Sequence, residues 1–258
     1  MPVELHIPGF NQAIHYKSVS STMDTARQLL QEAGRIDRDW CGVVTADNQT
    51  AGRGRQGRSW LGAERAFMGT LLFCTDQPLA QLVGYSLSVG YAVACAFDSL
   101  GVTLALKWPN DLVVVEQGEI KKVGGILIEV EEIGDLRCIV VGLGINLSQP
   151  PKEVVNRATS LEALGQSRLS ASEVTRIVAR ALLAAHQEFV NGPGLRGVLD
   201  VWQRRSCFVK GATELTVELG DATVTGVYAG LSEAGALLLT VNGAERTIHS
   251  GHITQIRL

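Results

Sequence analysis

The chain has 258 residues, of which 46% are hydrophobic and 19% charged, and a formal net charge of −3. That length fits one large domain or a main domain with a small one, and the apolar share excludes a disordered chain. The near balance of charge excludes a global field drawing the molecule onto nucleic acid or membrane, so strong positive charge is local wherever it occurs.

In chain order, "MPVELHIPGF" lacks a basic start followed by an apolar stretch, so no secretory signal is expected. "STMDTARQLLQEAG" (21–34) predicts a helix capped by Ser21 or Thr22, with Met23, Ala26, Leu29, Leu30 and Ala33 on one face and Gly34 at its end. "CGVVTAD" (41–47) predicts a buried strand, "QTAGRGRQGRSW" (49–60) a loop, and "GTLLFCT" (69–75) a second strand. Residues 80–100 read as one long helix with close packing at Gly84, Ala92, Ala94 and Ala96. Its apolar stretch, 82–101, is interrupted by serines, tyrosines, glycines and Asp98, which argues against a bilayer span.

Strands follow at 102–108, 111–116, 124–132 and 137–147, with polar turns at 117–122 and 133–135; such a meander implies a mixed or antiparallel sheet. "SASEVTRIVARALLAAHQEFV" (170–190) predicts an amphipathic helix, and 195–205 a short one after the break "NGPG". Beyond residue 208 come short strands with glycine turns, the texture of a small SH3-type barrel. The expected architecture is α+β: a mixed or antiparallel sheet packed by helices over 1–207, then a barrel over 208–258.

Five cysteines are scattered without a C-x-x-C pair, so zinc and thiol redox chemistry gain no support and reduced thiols in a cytoplasmic protein are expected. Three arginines and three glycines alternate in 52–58. Arginine offers a planar fork to oxyanions, and glycines let backbone amides turn onto an anion. The same stretch also reads as a solvated loop or an RNA contact, though only Trp60 is near for base stacking. "KWPND" (107–111) reads as a strand–turn–strand corner or as a lysine aimed at a phosphate or carboxylate. Gly124, Gly125, Gly142 and Gly144 fall within strands and mark either bulges or a bare patch for something flat. His249 and His252 in "HSGH" are weak evidence for a metal, and there is no G-x-S-x-G elbow.

"STMDTA", "QTAGRGRQGRSW", "KWPNDL", "KKVGGILIE" and "GLGINL", in this order and spacing, resemble the biotin–protein ligases. The resemblance is specific over about 14–165 and weaker through "SEAGALLL" (232–239). It implies a scaffold of the class II synthetase-like biotin/lipoate ligase kind. It also implies a reaction in which biotin and ATP form biotinyl-5′-AMP, followed by transfer of biotin to a lysine of the biotin carboxyl carrier domain of acetyl-CoA carboxylase. Mg²⁺ is expected with ATP, but no metal-ligand cluster is legible. The chain starts near the catalytic motifs, so the monofunctional class without operator binding is expected; a homodimer is left open.

By this resemblance Lys107, Arg53 and Arg55 would be catalytic. Biotin would be held by Ser21, Thr22, Met23, Gln49, Arg53, Gly54, Arg55, Trp60, Lys107, Gly124, Gly125 and Ile126. ATP and the adenylate would meet Arg53, Arg55, Arg58, Lys107, Asn110 and Asn146, with 158–165 covering the adenine. Met23 stands where the family often has Asn, so a backbone role is expected there. Asp111 is a candidate base for the incoming lysine, or a turn cap. Lipoate ligases and octanoyltransferases share the scaffold, but the arginine-rich loop is not expected in them.

Overall fold

The N-terminal strand pair lies in a segment with little sequence signal. In the computed structural model, which describes residues 2–154 and 156–257, β1 (Val3–Glu4) pairs antiparallel with β2 (Gln12–Tyr16). Neither strand is signalled by the sequence, because both are short, β1 is exposed and β2 is mostly part-buried. β2 pairs parallel with β3 (Cys41–Ala46). A parallel pair requires a crossover, and α1 (Thr22–Glu32) supplies it.

The remaining strands of this sheet are β4 (Ala66–Thr75), β5 (Ala105–Lys107), β6 (Asp111–Glu116), β7 (Glu119–Ile133) and β8 (Leu136–Asn146). Their spatial order is β1-β2-β3-β4-β8-β7-β6-β5, antiparallel apart from the β2/β3 pair. The expected mixed sheet is therefore present. Side-chain alternation divides its two faces. Val44, Leu72, Cys74, Cys138 and Val140 face α1, whose Met23, Ala26, Leu29 and Leu30 cover them. Val43, Leu71, Phe73, Ile139 and Val141 point the other way, into the larger core beneath α2 (Tyr85–Asp98) and α3 (Ala171–Asn191).

Several local expectations are corrected. α1 ends with Ala33 in extended conformation, one residue before Gly34. The single helix expected over 80–100 is broken: a 3₁₀ turn at Leu79–Leu82 precedes α2, and Gly84 between them has φ +80°. A side chain there would be strained and would run into Leu195, so glycine is needed both for the turn and for the approach. The Leu79–Asp98 stretch is apolar enough to cross a membrane by composition. α2 itself has 14 residues, short of the ~20 a bilayer requires, and its buried face packs in the core. β5 is shorter than the 102–108 strand expected. β7 starts earlier than expected because the turn before it contains only Gln117 and Gly118, both with positive φ, the geometry of a two-residue hairpin.

Ser170 and Glu173 close a reciprocal capping box at the start of α3. After Gly194–Gly197 and α4 (Leu199–Arg204) comes a second sheet. Its strands are β9 (Glu214–Leu219), β10 (Ala222–Leu231), β11 (Leu237–Val241), β12 (Ala244–Ile248) and β13 (His252–Arg257), antiparallel in the order β12-β11-β10-β9-β13. Its Leu215, Val217, Tyr228, Leu237 and Leu239 belong to the same continuous apolar core as α2 and α3. Trp108 also donates from Nε1 to the Gly235 carbonyl at 3.0 Å. The second sheet is thus fastened to the first through the corner that carries the K-W-P-N-D motif.

Candidate active site

The start of α1 is held by a residue remote in sequence. Gln49, just past β3, accepts at Oε1 from the Thr22 amide at 2.7 Å and from the Thr22 hydroxyl at 3.1 Å. The Thr22 hydroxyl accepts in turn from Thr70 at 2.9 Å. Gln49 thereby does what Ser21 was expected to do; the Ser21 side chain makes no cap hydrogen bond. Ser21 Oγ is buried without a partner. A buried hydroxyl without a partner costs on the order of 1–3 kcal/mol, which an arriving ligand polar group relieves.

The glycine–arginine stretch is a small hairpin. Arg53 pairs with Ser59, the Gly54 amide donates to the Arg58 carbonyl at 2.7 Å, and the Trp60 amide to the Gly52 carbonyl at 2.9 Å. Gln56 and Gly57, both at positive φ, form the tip. The three arginines meet three fates. Arg53, in the cleft lining, binds Asp24 of α1 through both terminal nitrogens at 2.7 Å. This hydrogen bond is the main influence holding the Asp24 carboxyl below its usual range. Arg58 reaches across to β13, its Nη1 2.9 Å from the ring nitrogens of His252. Burial, with the charges of Arg58 and Lys107, pushes His252 below the usual histidine value, so the neutral ring accepts from Arg58. Arg55 is part-buried, and burial lowers its pKa against the opposing pull of Asp111.

The floor is the glycine patch. A Cβ on Gly144 would stand 2.6 Å from the Trp60 ring, and one on Gly125 would stand 2.8 Å from Lys122 Nζ. The flat group received by Gly144 and Gly125 in this structure is thus the indole of Trp60. Trp60 Nε1 is itself buried without a partner. Gly142 receives Met23 Sδ, which a Cβ there would meet at 2.8 Å. Gly124 has a different role: a Cβ there would meet the Gly144 carbonyl at 2.6 Å, and the bare position serves strand approach.

The other wall is cationic. Lys107 ends β5 and Asp111 opens β6, directly opposite each other in the ladder. Lys122 of β7 pairs with Asp111 at 2.5 Å and stands 5.5 Å from the Trp60 ring centroid. A bulge between the β6 and β7 registers, at Leu112/Val113, brings Lys122 to the cleft beside Gly125. Asn110 donates to the Ile126 carbonyl at 2.6 Å, which ties the corner to β7.

Together these groups enclose a cleft of about 180 Å³. Of the residues expected at the site, Ser21, Thr22, Met23, Gln49, Arg53, Gly54, Arg55, Arg58, Trp60, Lys107, Asn110, Gly125 and Ile126 line it. Gly124 and Asn146 do not. Asn146 instead pins the 158–165 segment, donating to the Thr159 carbonyl at 3.1 Å and accepting from the Leu161 amide at 3.0 Å, with Oδ1 left unpartnered. Lining residues missed by sequence reasoning include Lys122 and, at the start of β13, His252 with Gly251 just before it. Lys122 lay in plain view within "KKVGG" but carried no local feature separating it from Lys121. Asp111 is the one carboxylate in the lining among the described residues, and no three His, Cys, Asp or Glu side chains group as a metal site there.

A mixed sheet with a glycine floor beneath the Trp60 indole, a polar corner at one end and a cationic hairpin over the other forms an enzyme cleft. Comparison with known proteins agrees. Residues 16–146 match the model of the biotin/lipoate A/B protein ligase family. The chain is 33% identical over 250 residues to the biotin–[acetyl-CoA-carboxylase] ligase of Mycobacterium tuberculosis, covering 93% of this chain and 88% of that one. It is 32% identical over 245 residues to the bifunctional ligase/repressor BirA of Escherichia coli, covering 92% of this chain and 73% of that protein. The biotin protein ligase of Aquifex aeolicus, solved in complex with biotin and ATP, superposes with a TM-score of 0.75 at 28% identity, covering 96% of this chain and 99% of the other. The chain belongs to the biotin/lipoate A/B protein ligase family, and within it resembles the biotin ligases.

Proposed function

We propose that the protein joins biotin to ATP as biotinyl-5′-AMP and then transfers biotin to one lysine of a biotin carboxyl carrier domain, that of acetyl-CoA carboxylase. The observation that carries this reading is the polarity of the cleft. Ser21, Thr22 and Gln49 present hydrogen-bonding groups at one end, and Arg55, Arg58, Lys107 and Lys122 bring positive charge to the rest.

The ureido ring of biotin carries N–H donors and a C=O acceptor. The unpartnered Ser21 Oγ and the side-chain amide NH2 of Gln49 suit that end. The apolar flank of the bicycle fits the Gly125–Trp60–Ile126 side. Biotin carboxylate and a triphosphate repel each other, more strongly once water leaves. The cationic groups offset that repulsion and stabilise charge on the transferring phosphoryl group. A carboxylate oxygen bonds to the α-phosphorus as pyrophosphate departs. The carrier amine then bonds to the acyl carbon, loses a proton, and AMP leaves with the bonding electrons. The hairpin excludes water from the anhydride between these steps.

Mg²⁺ would supply charge neutralisation on the phosphates; Asp111 is the side chain suited to meet it, alongside phosphate oxygens and water. With Asp111 bound to Lys122 in this structure, its role as base for the acceptor lysine is less favoured than a role in setting the position of that ammonium group. We also read the five free cysteines as those of a cytoplasmic enzyme, and the 208–258 sheet as a small SH3-like module completing the cleft. Biotin-dependent release of labelled pyrophosphate from ATP tests the reading. Its absence from purified, folded protein would overturn it.

A further inference from the structure

Two of the three hairpin arginines already have partners, and the partner of Arg53 is built for a fork. Both terminal nitrogens of Arg53 reach Asp24, one to each carboxylate oxygen, at 2.7 Å. Such bidentate pairs fix orientation as well as distance. Asp24 lies in the first turn of α1, next to the residues that form the polar end of the cleft. It is braced from behind by Arg27, which bonds Asp24 at 3.2 Å and also binds Glu129 and Glu131 of β7. In this cluster Arg53 and Arg27 face three carboxylates, so the charge of Arg53 is already compensated. Arg53 also pairs through its backbone with Ser59 across the hairpin. Holding its side chain therefore holds the whole hairpin, and with it Arg55, next to the tip and in the cleft lining.

We infer that Asp24 is a positioning residue: through the Arg53 fork it holds the 52–60 hairpin against α1, so that Arg55 rather than Arg53 is offered to the anionic part of the substrate. This inference rests on the proposed ligase reaction for its kinetic arm, but its structural arm is independent of any reaction.

The test uses the full chain carrying Asp24→Asn, Arg53→Ala or both, with Arg53→Lys as the variant that keeps the charge and loses the fork. Trypsin cleavage after Arg55 and Arg58 in the unliganded protein should accelerate about fivefold in Asp24→Asn, the scale of one well-formed exposed pair. Arg53→Ala and Arg53→Lys should match it, and the double variant should go no further. In Asp24→Asn the KM for biotin should rise by a similar factor while kcat for pyrophosphate release stays near wild type. Wild-type cleavage and KM in Asp24→Asn, multiplying effects in the double variant, or a fall in KM would each overturn the inference. A matched thermal melt of Asp24→Asn and wild type confirms that the fold is intact. If wild-type protein releases no biotin-dependent pyrophosphate, the proposed function fails, and the trypsin arm still decides the tether.

Discussion

Trp60 rests on Gly144 so closely that a Cβ on the glycine would stand 2.6 Å from the indole. The ring that caps the hairpin and the strand that floors the cleft are therefore matched to each other. Gly144→Ala should displace Trp60 and weaken biotin binding at least tenfold, read by calorimetry, while leaving the sheet folded. Gly124→Ala should behave differently, because its Cβ would meet the Gly144 carbonyl rather than a side chain. Backbone must then move, and a loss of about 1–3 kcal/mol of stability is expected in a urea titration. Equal effects of the two substitutions on stability would contradict this division of labour.

Ser21 Oγ has no partner among the described residues. Ser21→Ala removes an unsatisfied buried hydroxyl, so the melting temperature of the free protein should hold or rise. Biotin affinity should fall by roughly tenfold, the worth of one hydrogen bond to a buried group. A melting temperature that drops, with affinity unchanged, would assign the hydroxyl to folding instead.

Arg55→Gly removes the guanidinium beside the tip while leaving the Arg53 and Arg58 attachments in place. The fold should be retained, and biotinyl-adenylate should escape into solution before transfer. Chromatography of released adenylate against acceptor-bound biotin measures this directly. Retention equal to wild type would dismiss the closing role of that side chain.

His186 supplies a pH signature outside the cleft. It is buried on α3, stacked on Phe73 with ring centroids 4.9 Å apart and bonded to the Tyr85 hydroxyl at 3.0 Å. Burial lowers its pKa to about 4. Above the ordinary value near 6.5 both folded and unfolded forms are neutral, and its contribution to stability is complete. As pH falls from there toward 4, the unfolded chain takes up the proton and the native one does not. Stability is lost over that window, by on the order of 3 kcal/mol in total. Urea unfolding from pH 7.5 to 4 should show the slope, and His186→Phe should flatten it. An unchanged slope in that variant would assign the acid sensitivity to other groups.

Much of this was written locally. The strand β6, the amphipathic run and capping box of α3, and the alternating arginines and glycines of the hairpin all depend on spacings of a few residues. Periodicity, cap chemistry and glycine within strands report such features directly. The short β1 and β2 were not legible because neither has enough alternating residues to declare a period. The break at Gly84 was hidden because α2 is apolar on nearly every side. Lys122 looked like its neighbour until a bulge in the β6/β7 pairing brought it beside Gly125.

The sequence by itself determined the chemistry available: most of the longer helices and strands, where the cations and strand glycines fall, and which family's motifs they spell. Tertiary structure decided the use of each group. Arg53 found its carboxylate 29 residues away in α1, and Arg58 found its histidine 194 residues away in β13. Propensity and spacing act over a turn or two of chain, whereas a charge acts through space on whatever the fold brings within a few ångströms.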